Sequence, residues 1–240
     1  MKIVVAHPYQ QYADFISQMP KLMRQGACEL IYDKRNQIAR FHHDGQIFIV
    51  KRFKRVNLIQ QVVYTFSRST KCERAYRFAD EFLRRGIATP QPIAYLEERR
   101  LGLFTTGYFV SEEVKGIETH LLLREVQNYP SDLAEAVACQ VFMMHQKGIL
   151  HGDLNLSNFL CVKHSNGYHF TMIDINRSHF CNGIPSDEEC LKNLVRLTHR
   201  RDLYEDLVRR YARLREWDEN VTAQKAVELL ARFENRRFRL

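Results

Sequence analysis

From Cys28 to Phe53, apolar and polar residues alternate over three short runs, CELIYDK, QIARFHH and QIFIVKRF. Period-two alternation is that of half-buried strands. Arg35-Asn36 and Asp44-Gly45 separate the runs, and Asp-Gly tolerates the positive φ that both central residues of a type I′ turn require. The stretch therefore predicts a three-stranded antiparallel meander. Over 71–85, KCERAYRFADEFLRR, the period changes to that of a helix. Cys72, Ala75, Tyr76, Ala79, Phe82 and Leu83 share one face, and Gly86 closes the helix just past its C-cap. GIATPQPIAYLEE, extended at its prolines, leads into a fourth strand. Arg99 to Gly102 turn the chain, and LFTTGYFVSEEV returns it as a fifth. Residues 1–27 carry weaker signals, for a short strand and a helix.

Strand pattern gives way to helix pattern across Ser111 to Gly116, so the expected division is 1–113 and 114–240. From Ser131 the chain reads as a helix that is apolar nearly all round, with Leu133, Ala134, Val137, Ala138, Val141, Phe142 and Met144; such a helix is buried. Gly148 ends it. Ser186 and Glu189 have capping-box spacing ahead of Leu191, Leu194 and Val195. Amphipathic helices follow over 202–216 and 222–235. The expected class is α+β: a five-stranded antiparallel sheet plus one helix, then a mostly helical second part.

Within the second part lies HQKGILHGDLNLSNFLCVKHSNGYHFTMID, residues 145–174. Its apolar runs 159–162 and 170–173 flank Asn166-Gly167, a second hairpin signal. With Asn166 and Gly167 as the two loop residues, cross-strand partners sum to 333. Asn158 and Asp174 then sit almost opposite each other at the open end. An amide oxygen beside a carboxylate suits a hard cation such as Mg²⁺. Asp153, in the loop after His151-Gly152, adds a carboxylate that could accept a hydroxyl proton or orient a nucleophile. Each of these residues alone is more often a loop cap. As an ordered set, H-x-D-x-x-x-x-N, hairpin, I-D, they follow the order of a kinase catalytic loop and its metal-binding Asp. Lys51 ends the apolar run 47–50, and Glu73 lies at the edge of the apolar face of helix 71–85. The two can form an ion pair; the alternative is a strand-end lysine and a solvated glutamate.

Composition narrows the class. At 240 residues, 45% hydrophobic and 27% charged, the chain is ordinary for a globular protein. No apolar run approaches the ~18 residues of a membrane span, and the apolar start is too short for a signal peptide. The expected location is the cytoplasm. Six cysteines without a CxxC pair read as buried thiols; His179, Cys181 and Cys190 have poor spacing for a metal. The net charge of +8 favours anionic partners. It is concentrated at Lys51, Arg52, Lys54 and Arg55, along helix 71–85, and over 196–201 and 209–215. The basic helices already commit one face to packing and carry no nucleic-acid motif, so nucleic acid is not an expected partner.

On LHGDLNLSNFL, MIDINR, Lys51 and Glu73, the chain resembles the protein-kinase-like fold. Within it, the chain is similar to the bacterial lipopolysaccharide core kinases that phosphorylate Kdo or heptose. The resemblance covers roughly residues 28–215. It implies ATP and Mg²⁺, with Lys51 on the α/β-phosphates, Glu73 fixing that lysine, and Asp153 as catalytic base. It further implies Asn158 and Asp174 on the metal, and Glu112, Glu113 and Val114 as the hinge that meets adenine. Asn155 and Arg177 are candidates for acceptor binding. The implied acceptor is an anionic glycolipid, and the basic helices could rest peripherally on the anionic cytoplasmic leaflet. Three features depart from protein kinases. The segment 32–39 contains no glycine, so Lys34-Arg35-Asn36 would have to cover the phosphates. Gly152 replaces the usual Arg of the catalytic loop. Only about a dozen residues separate Asp174 from the next helix, too few for a peptide-binding activation loop. Small-molecule kinases of the aminoglycoside and choline type share H-G-D-x-x-x-x-N. The absent glycine loop leaves open a non-catalytic kinase-like binding module.

Overall fold

In the structure, a computed structural model, the chain is described throughout except at 35, 54–56, 67 and 238–240, and without the side chains of 58–60, 66, 236 and 237. Arg35, Lys54 and Arg55 thus lie outside the described residues. Two compact units are present: 1–84 with 89–114, and 85–88 with 115–240.

In the first unit, β1 (Lys2–Val5) precedes a 3-10 helix (His7–Tyr12) and α1 (Ala13–Gln25). Then come β2 (Glu29–Asp33), β3 (Gln37–His43), β4 (Gln46–Arg52), α2 (Leu58–Phe66), α3 (Lys71–Arg84), β5 (Pro92–Arg100) and β6 (Leu103–Glu112). The meander forms as the pattern predicts. His43 pairs with Gln46 across Asp44-Gly45, whose φ angles are 47° and 74°, the two positive values of a type I′ turn. The sheet itself has six strands, ordered β1-β5-β6-β4-β3-β2, rather than five. The added strand is β1, four residues long, pairing antiparallel with β5. β1 and α1 are the short strand and the helix signalled more weakly within 1–27, and α2 is a further helix beside the one in the expected class. The sequence pattern assigns no element to 53–70, because LIQQVVYTF mixes helix and strand formers.

Period two separates the faces. Ala39, Phe41, Phe48, Val50, Ala94, Leu96, Tyr108 and Val110 pack with Ile16 and Met19 of α1 in one buried cluster. Phe53, Cys72, Ala75 and Tyr95, with Phe109 against them, form a second on the opposite face, where α3 lies. Lys51 pairs with Phe109, which pairs with Tyr95. The alternation therefore puts Lys51 on the α3 face.

The second unit adds β7 (Ile117–Glu118), α4 (Thr119–Leu123), α5 (Ser131–Gln146), β8 (Ile149–Leu150), a 3-10 turn (Leu156–Asn158), β9 (Phe159–His164) and β10 (Gly167–Met172). It ends with β11 (His179–Phe180), α6 (Asp187–Leu194), α7 (Arg201–Leu214) and α8 (Glu219–Arg237). The expected helices are all present, and Ser186 with Glu189 forms the full capping box. Leu133, Ala134, Val137, Ala138, Val141 and Met144 of α5 are buried, as are Leu203, Leu207 and Tyr211 of α7.

The β9–β10 hairpin corrects one expectation. Gly167 pairs with His164 and Met172 with Phe159, so partners sum to 331, not 333. Ser165 and Asn166 form the turn, and neither has positive φ; Gly167, at φ 122°, is the first paired residue. The turn is not type I′. A slip of two leaves every side chain on its expected face, so Asn158 and Asp174 still meet within one position. Ile173, not Asp174, stands opposite Asn158: its N–H donates to the Asn158 carbonyl at 2.9 Å.

Gly107 of β6 tests how tightly α3 is seated. A Cβ there would lie 2.5 Å from Cys72 Sγ and 3.3 Å from Phe104 Cζ. Gly107→Ala should cost about 1–3 kcal/mol in urea unfolding, as core overpacking does. Cys72→Ala in the same chain should restore part of that loss. Simple addition of the two costs would show that the contact does not limit packing.

Candidate active site

Gly148, at φ 69°, ends α5 and turns the chain into β8. Arg85 ties this corner by donating to the carbonyls of Lys147 at 2.7 Å and Cys181 at 3.0 Å. β8 pairs with β11 and delivers His151, which is fully buried. Four hydrogen bonds then close a ring. The Asp153 N–H donates to His151 Nδ1 at 3.2 Å. His151 Nε2 meets the Ile173 carbonyl at 3.1 Å. Ile173 N–H donates to the Asn158 carbonyl, and Asn158 Nδ2 donates to the Asp153 carbonyl at 2.8 Å. An N–H aimed at Nδ1 requires that nitrogen to accept, so the ring proton sits on Nε2. Burial also lowers the His151 pKa and keeps the imidazole neutral. Asp153, Asn158 and the strand leading to Asp174 are thus positioned from one buried side chain.

A second chain of hydrogen bonds supports the first. Arg215 donates to the Tyr211 hydroxyl at 3.2 Å, which lies 2.7 Å from His145 Nδ1. His145 Nε2 is 3.1 Å from Asn193 Oδ1, and Asn193 Nδ2 donates to the His151 carbonyl at 2.8 Å. Since the Asn193 amide donates to His151, its oxygen must accept from His145. The direction then runs from Arg215 through Tyr211, His145 and Asn193 to His151. Burial, with the Arg215 charge adding, lowers the His145 pKa to about 4; its bond to Asn193 opposes this.

Two guanidiniums approach Asp153: Arg196 reaches Oδ1 at 3.3 Å and Arg177 reaches Oδ2 at 3.6 Å. Arg177, an acceptor candidate from the sequence, thus lies beside the carboxylate expected to act as base. Its approach explains Gly152. A Cβ on Gly152 would overlap the Arg177 carbonyl oxygen and lie 2.8 Å from Arg177 Cβ. Glycine is required there by close backbone approach.

The oxygen donors expected to hold a cation have suitable chemistry. With Asn158 Nδ2 committed to Asp153, the amide oxygen remains the group to turn outward. Asp174, at φ 54°, accepts from Asn176 Nδ2 at 2.8 Å through Oδ1. An amide oxygen and a carboxylate form the hard donor pair that Mg²⁺-class ions take. Among the described residues no cluster of three His, Cys, Asp or Glu side chains has metal-site geometry. Asn155 acts locally. Its Oδ1 accepts from the Ser157 N–H at 2.9 Å and from Ser157 Oγ at 3.0 Å, capping the 3-10 turn.

In the first unit, Lys51 Nζ lies 5.6 Å from the Phe53 ring centroid. Glu73, on α3, faces Arg77 at 4.0 Å. Lys2 is a cation that the sequence did not suggest near Glu73: its pKa is raised by a hydrogen bond to Tyr95, with Glu97 and Glu73 adding. Glu112 Oε1 accepts from the Tyr9 hydroxyl at 2.6 Å, and its N–H donates to the Gln91 carbonyl at 3.0 Å. Glu113 pairs with Arg40 at 2.5 Å, and Val114 is the last residue of this unit.

Sequence reasoning misses Arg196, Asn193 and the role of His151. Arg196 is hidden in a basic run. Asn193 carries one usable signal, a polar residue between the inward positions Leu191 and Leu194.

Gly152→Ala should displace Arg177 and the loop at 151–158, destabilising the fold by a core-overpacking amount, about 1–3 kcal/mol, read as a lowered thermal midpoint. An unchanged midpoint would mean that the loop has room. His145 gives a pH signature. Its folded pKa lies below the ordinary 6.5, so its contribution is complete above pH 6.5 and is lost as pH falls towards 4. The loss should be on the order of 3 kcal/mol. Urea titrations between pH 7 and 4 should show a slope that falls by one proton in His145→Gln; an unaltered slope would place the titration elsewhere.

Comparison with known proteins follows the same site. A family model described as the lipopolysaccharide kinase (Kdo/WaaP) family matches residues 39–233. A 3-deoxy-D-manno-octulosonic acid kinase of Vibrio vulnificus (strain CMCP6) is 28% identical over 75 residues, 31% of this chain and 31% of that relative. The kinase of the same description from Vibrio parahaemolyticus serotype O3:K6 (strain RIMD 2210633) is 23% identical over 116 residues, 46% of this chain and 48% of the relative. These alignments therefore span less than half the length of either relative. The solved structure of WaaP in complex with acyl carrier protein superposes over 98% of both chains, with a TM-score of 0.62 and 18% identity. The kinase-like fold expected from the motifs is thus the observed one. With its family model spanning the loop at 151–158, the hairpin and all but two strands and the start of a third in the larger sheet, the chain belongs to the lipopolysaccharide kinase (Kdo/WaaP) family.

Proposed function

We propose that this protein is a kinase that transfers the γ-phosphoryl group of ATP to a sugar hydroxyl, of Kdo or heptose, in the lipopolysaccharide inner core. The observation that carries the reading is the ring through His151, which holds Asp153 and Asn158 and leads directly into Asp174. A loop cap would not need an acid, an amide and a second acid locked to one buried imidazole. Family membership adds the expectation of ATP and a divalent cation, which we take to be Mg²⁺.

In this reading Asp153 orients the acceptor hydroxyl and takes its proton. Asn158 and Asp174 would hold Mg²⁺, which supplies charge neutralisation along the phosphates when bound. Lys51 holds the α/β-phosphates, Glu73 positions Lys51, and the backbone of Glu112, Glu113 and Val114 meets adenine. Arg177 and Asn155 serve the acceptor. Little covalent chemistry is asked of the chain; positioning and electrostatics carry the transfer. Among the described residues no helix is long and apolar enough to cross a membrane. The reading puts the protein in the cytoplasm, with peripheral contact to the anionic inner leaflet where a glycolipid acceptor resides.

The test is transfer of labelled γ-phosphate from ATP·Mg²⁺ to Kdo-bearing lipid A. Wild type should label the acceptor, and Asp153→Asn should lose about 10²–10⁴-fold in kcat, the range for a general base. Labelling of a soluble sugar, amino alcohol or antibiotic instead would keep the kinase and replace the acceptor. Absence of ATP binding would leave a binding module.

A further inference from the structure

An open cavity of about 360 Å³ lies within the second unit, lined by Leu150, Gly152, Arg177, His179, Glu189, Lys192, Asn193 and Arg196. That volume is at the small end for ligand sites, roughly 300–1,000 Å³, and suits a single sugar ring. Its charge is one-sided. Arg177, Lys192 and Arg196 contribute three cations. Glu189 is the one carboxylate on the wall, and its Oε2 is occupied by the Ser186 N–H at 3.0 Å and hydroxyl at 2.6 Å. Lys192 pairs with Glu188 at the outer rim, where both are exposed.

Arg196 is held in place before any ligand arrives. Its guanidinium stacks over the Phe233 ring of α8, 4.9 Å from the centroid, and meets Asp153 along one edge. Stacking leaves the remaining N–H edge directed by geometry rather than by chance. Arg177 is fixed from its backbone, through the contact with Gly152. Arg196, held by stacking, and Arg177, anchored through its backbone, thus stand at the wall of a sugar-sized cavity, both beside the carboxylate that would take the hydroxyl proton.

We propose that this cavity is an oxyanion subsite of the acceptor, in which Arg196 and Arg177, with Lys192 at the rim, bind a carboxylate or phosphate carried next to the hydroxyl that reacts. The assignment rests on the kinase reading for its place in the reaction. Arg196 becomes a specificity-determining residue, since a guanidinium shared between the acceptor's acid and Asp153 sets the hydroxyl at a fixed distance from the base. A neutral sugar of the same shape would leave both guanidiniums turned to Asp153 alone.

The experiment uses the full chain and three soluble probes: the methyl glycoside of Kdo, its carboxyl methyl ester, and a hexose phosphate. Calorimetric binding without nucleotide is measured beside transfer from ATP·Mg²⁺. The acid should bind about 10- to 100-fold more tightly than the ester, the range for a charge-assisted hydrogen bond. Arg196→Gln should erase that acid-to-ester ratio, in both Kd and KM, and Arg196→Lys should restore part of it. A merely structural arginine would change both probes alike. Tighter binding of the hexose phosphate than of the acid supports the subsite and names phosphate as the anion. Equal binding of acid and ester, or a ratio that survives Arg196→Gln, overturns the subsite while any transfer keeps the kinase. Selective binding of the acid without transfer to any probe supports the subsite and counts against the kinase.

Discussion

A neutral, fully buried imidazole is the constraint on which the candidate site depends. His151 accepts at Nδ1 from the Asp153 N–H and donates at Nε2 to the Ile173 carbonyl. Protonation would place two N–H groups face to face at Nδ1, inside the fold, where no water can absorb the conflict. The ring therefore works only with the neutral tautomer, and burial secures it. Phenylalanine could fill the volume but could neither accept nor donate, leaving the Asp153 amide and the Ile173 carbonyl without partners. The histidine is positional: it fixes the backbone at 153 and 173 so that the side chains of Asp153, Asn158 and Asp174 issue from set places.

That ring is held in turn by the helical core. α5 and α7 pack together, with Val137, Val141, Leu207 and Tyr211 buried, and Tyr211 brings its hydroxyl to His145. The polar path from Arg215 to the His151 carbonyl crosses this core with each described donor matched to an acceptor. Buried polar networks of this kind cost stability if one member is lost and specify one arrangement when complete. Asn193 joins both systems, because one face of its amide serves His145 and the other serves His151. Its neighbour in space, Arg196, lies on the same short stretch that α6 and its capping box position. Local helix chemistry thus sets the charge beside Asp153.

The sequence is most informative where local patterns decide the outcome. Sequence pattern locates β2 to β6, alternation gives the faces of β3 and β4, the 3.6 period places α3, α5, α7 and α8, and Asp44-Gly45 sets its own turn. It is less informative where tertiary pairing decides. β1 is four residues that gain their identity only by pairing with β5. Asn166-Gly167 carries a strong turn signal, yet the loop forms one residue earlier, because Gly167 can pair at φ 122° and the apolar faces of β9 and β10 are preserved by a slip of two. The ordered motif locates Asp153, Asn158 and Asp174. Arg196 is 43 residues from Asp153, and no local rule distinguishes it from the arginines that follow it.

Gly152 shows how a departure from a familiar motif becomes a structural statement. An arginine there would need space that the Arg177 backbone already fills. The segment that brings Arg177 in is short and tied down: Ser178 N–H donates to the Ile175 carbonyl at 3.0 Å, Cys181 N–H to the Gly148 carbonyl at 2.8 Å, and β11 pairs with β8. From Asp174 to the Ser186 cap there is no long segment to reorder, so this side of the site is preformed. In the proposed reading, a preformed site would not select an acceptor by folding around it. It would select by shape and charge already in place. The one-sided charge of the cavity beside Asp153, with its single carboxylate turned into a helix cap, is the feature able to do so.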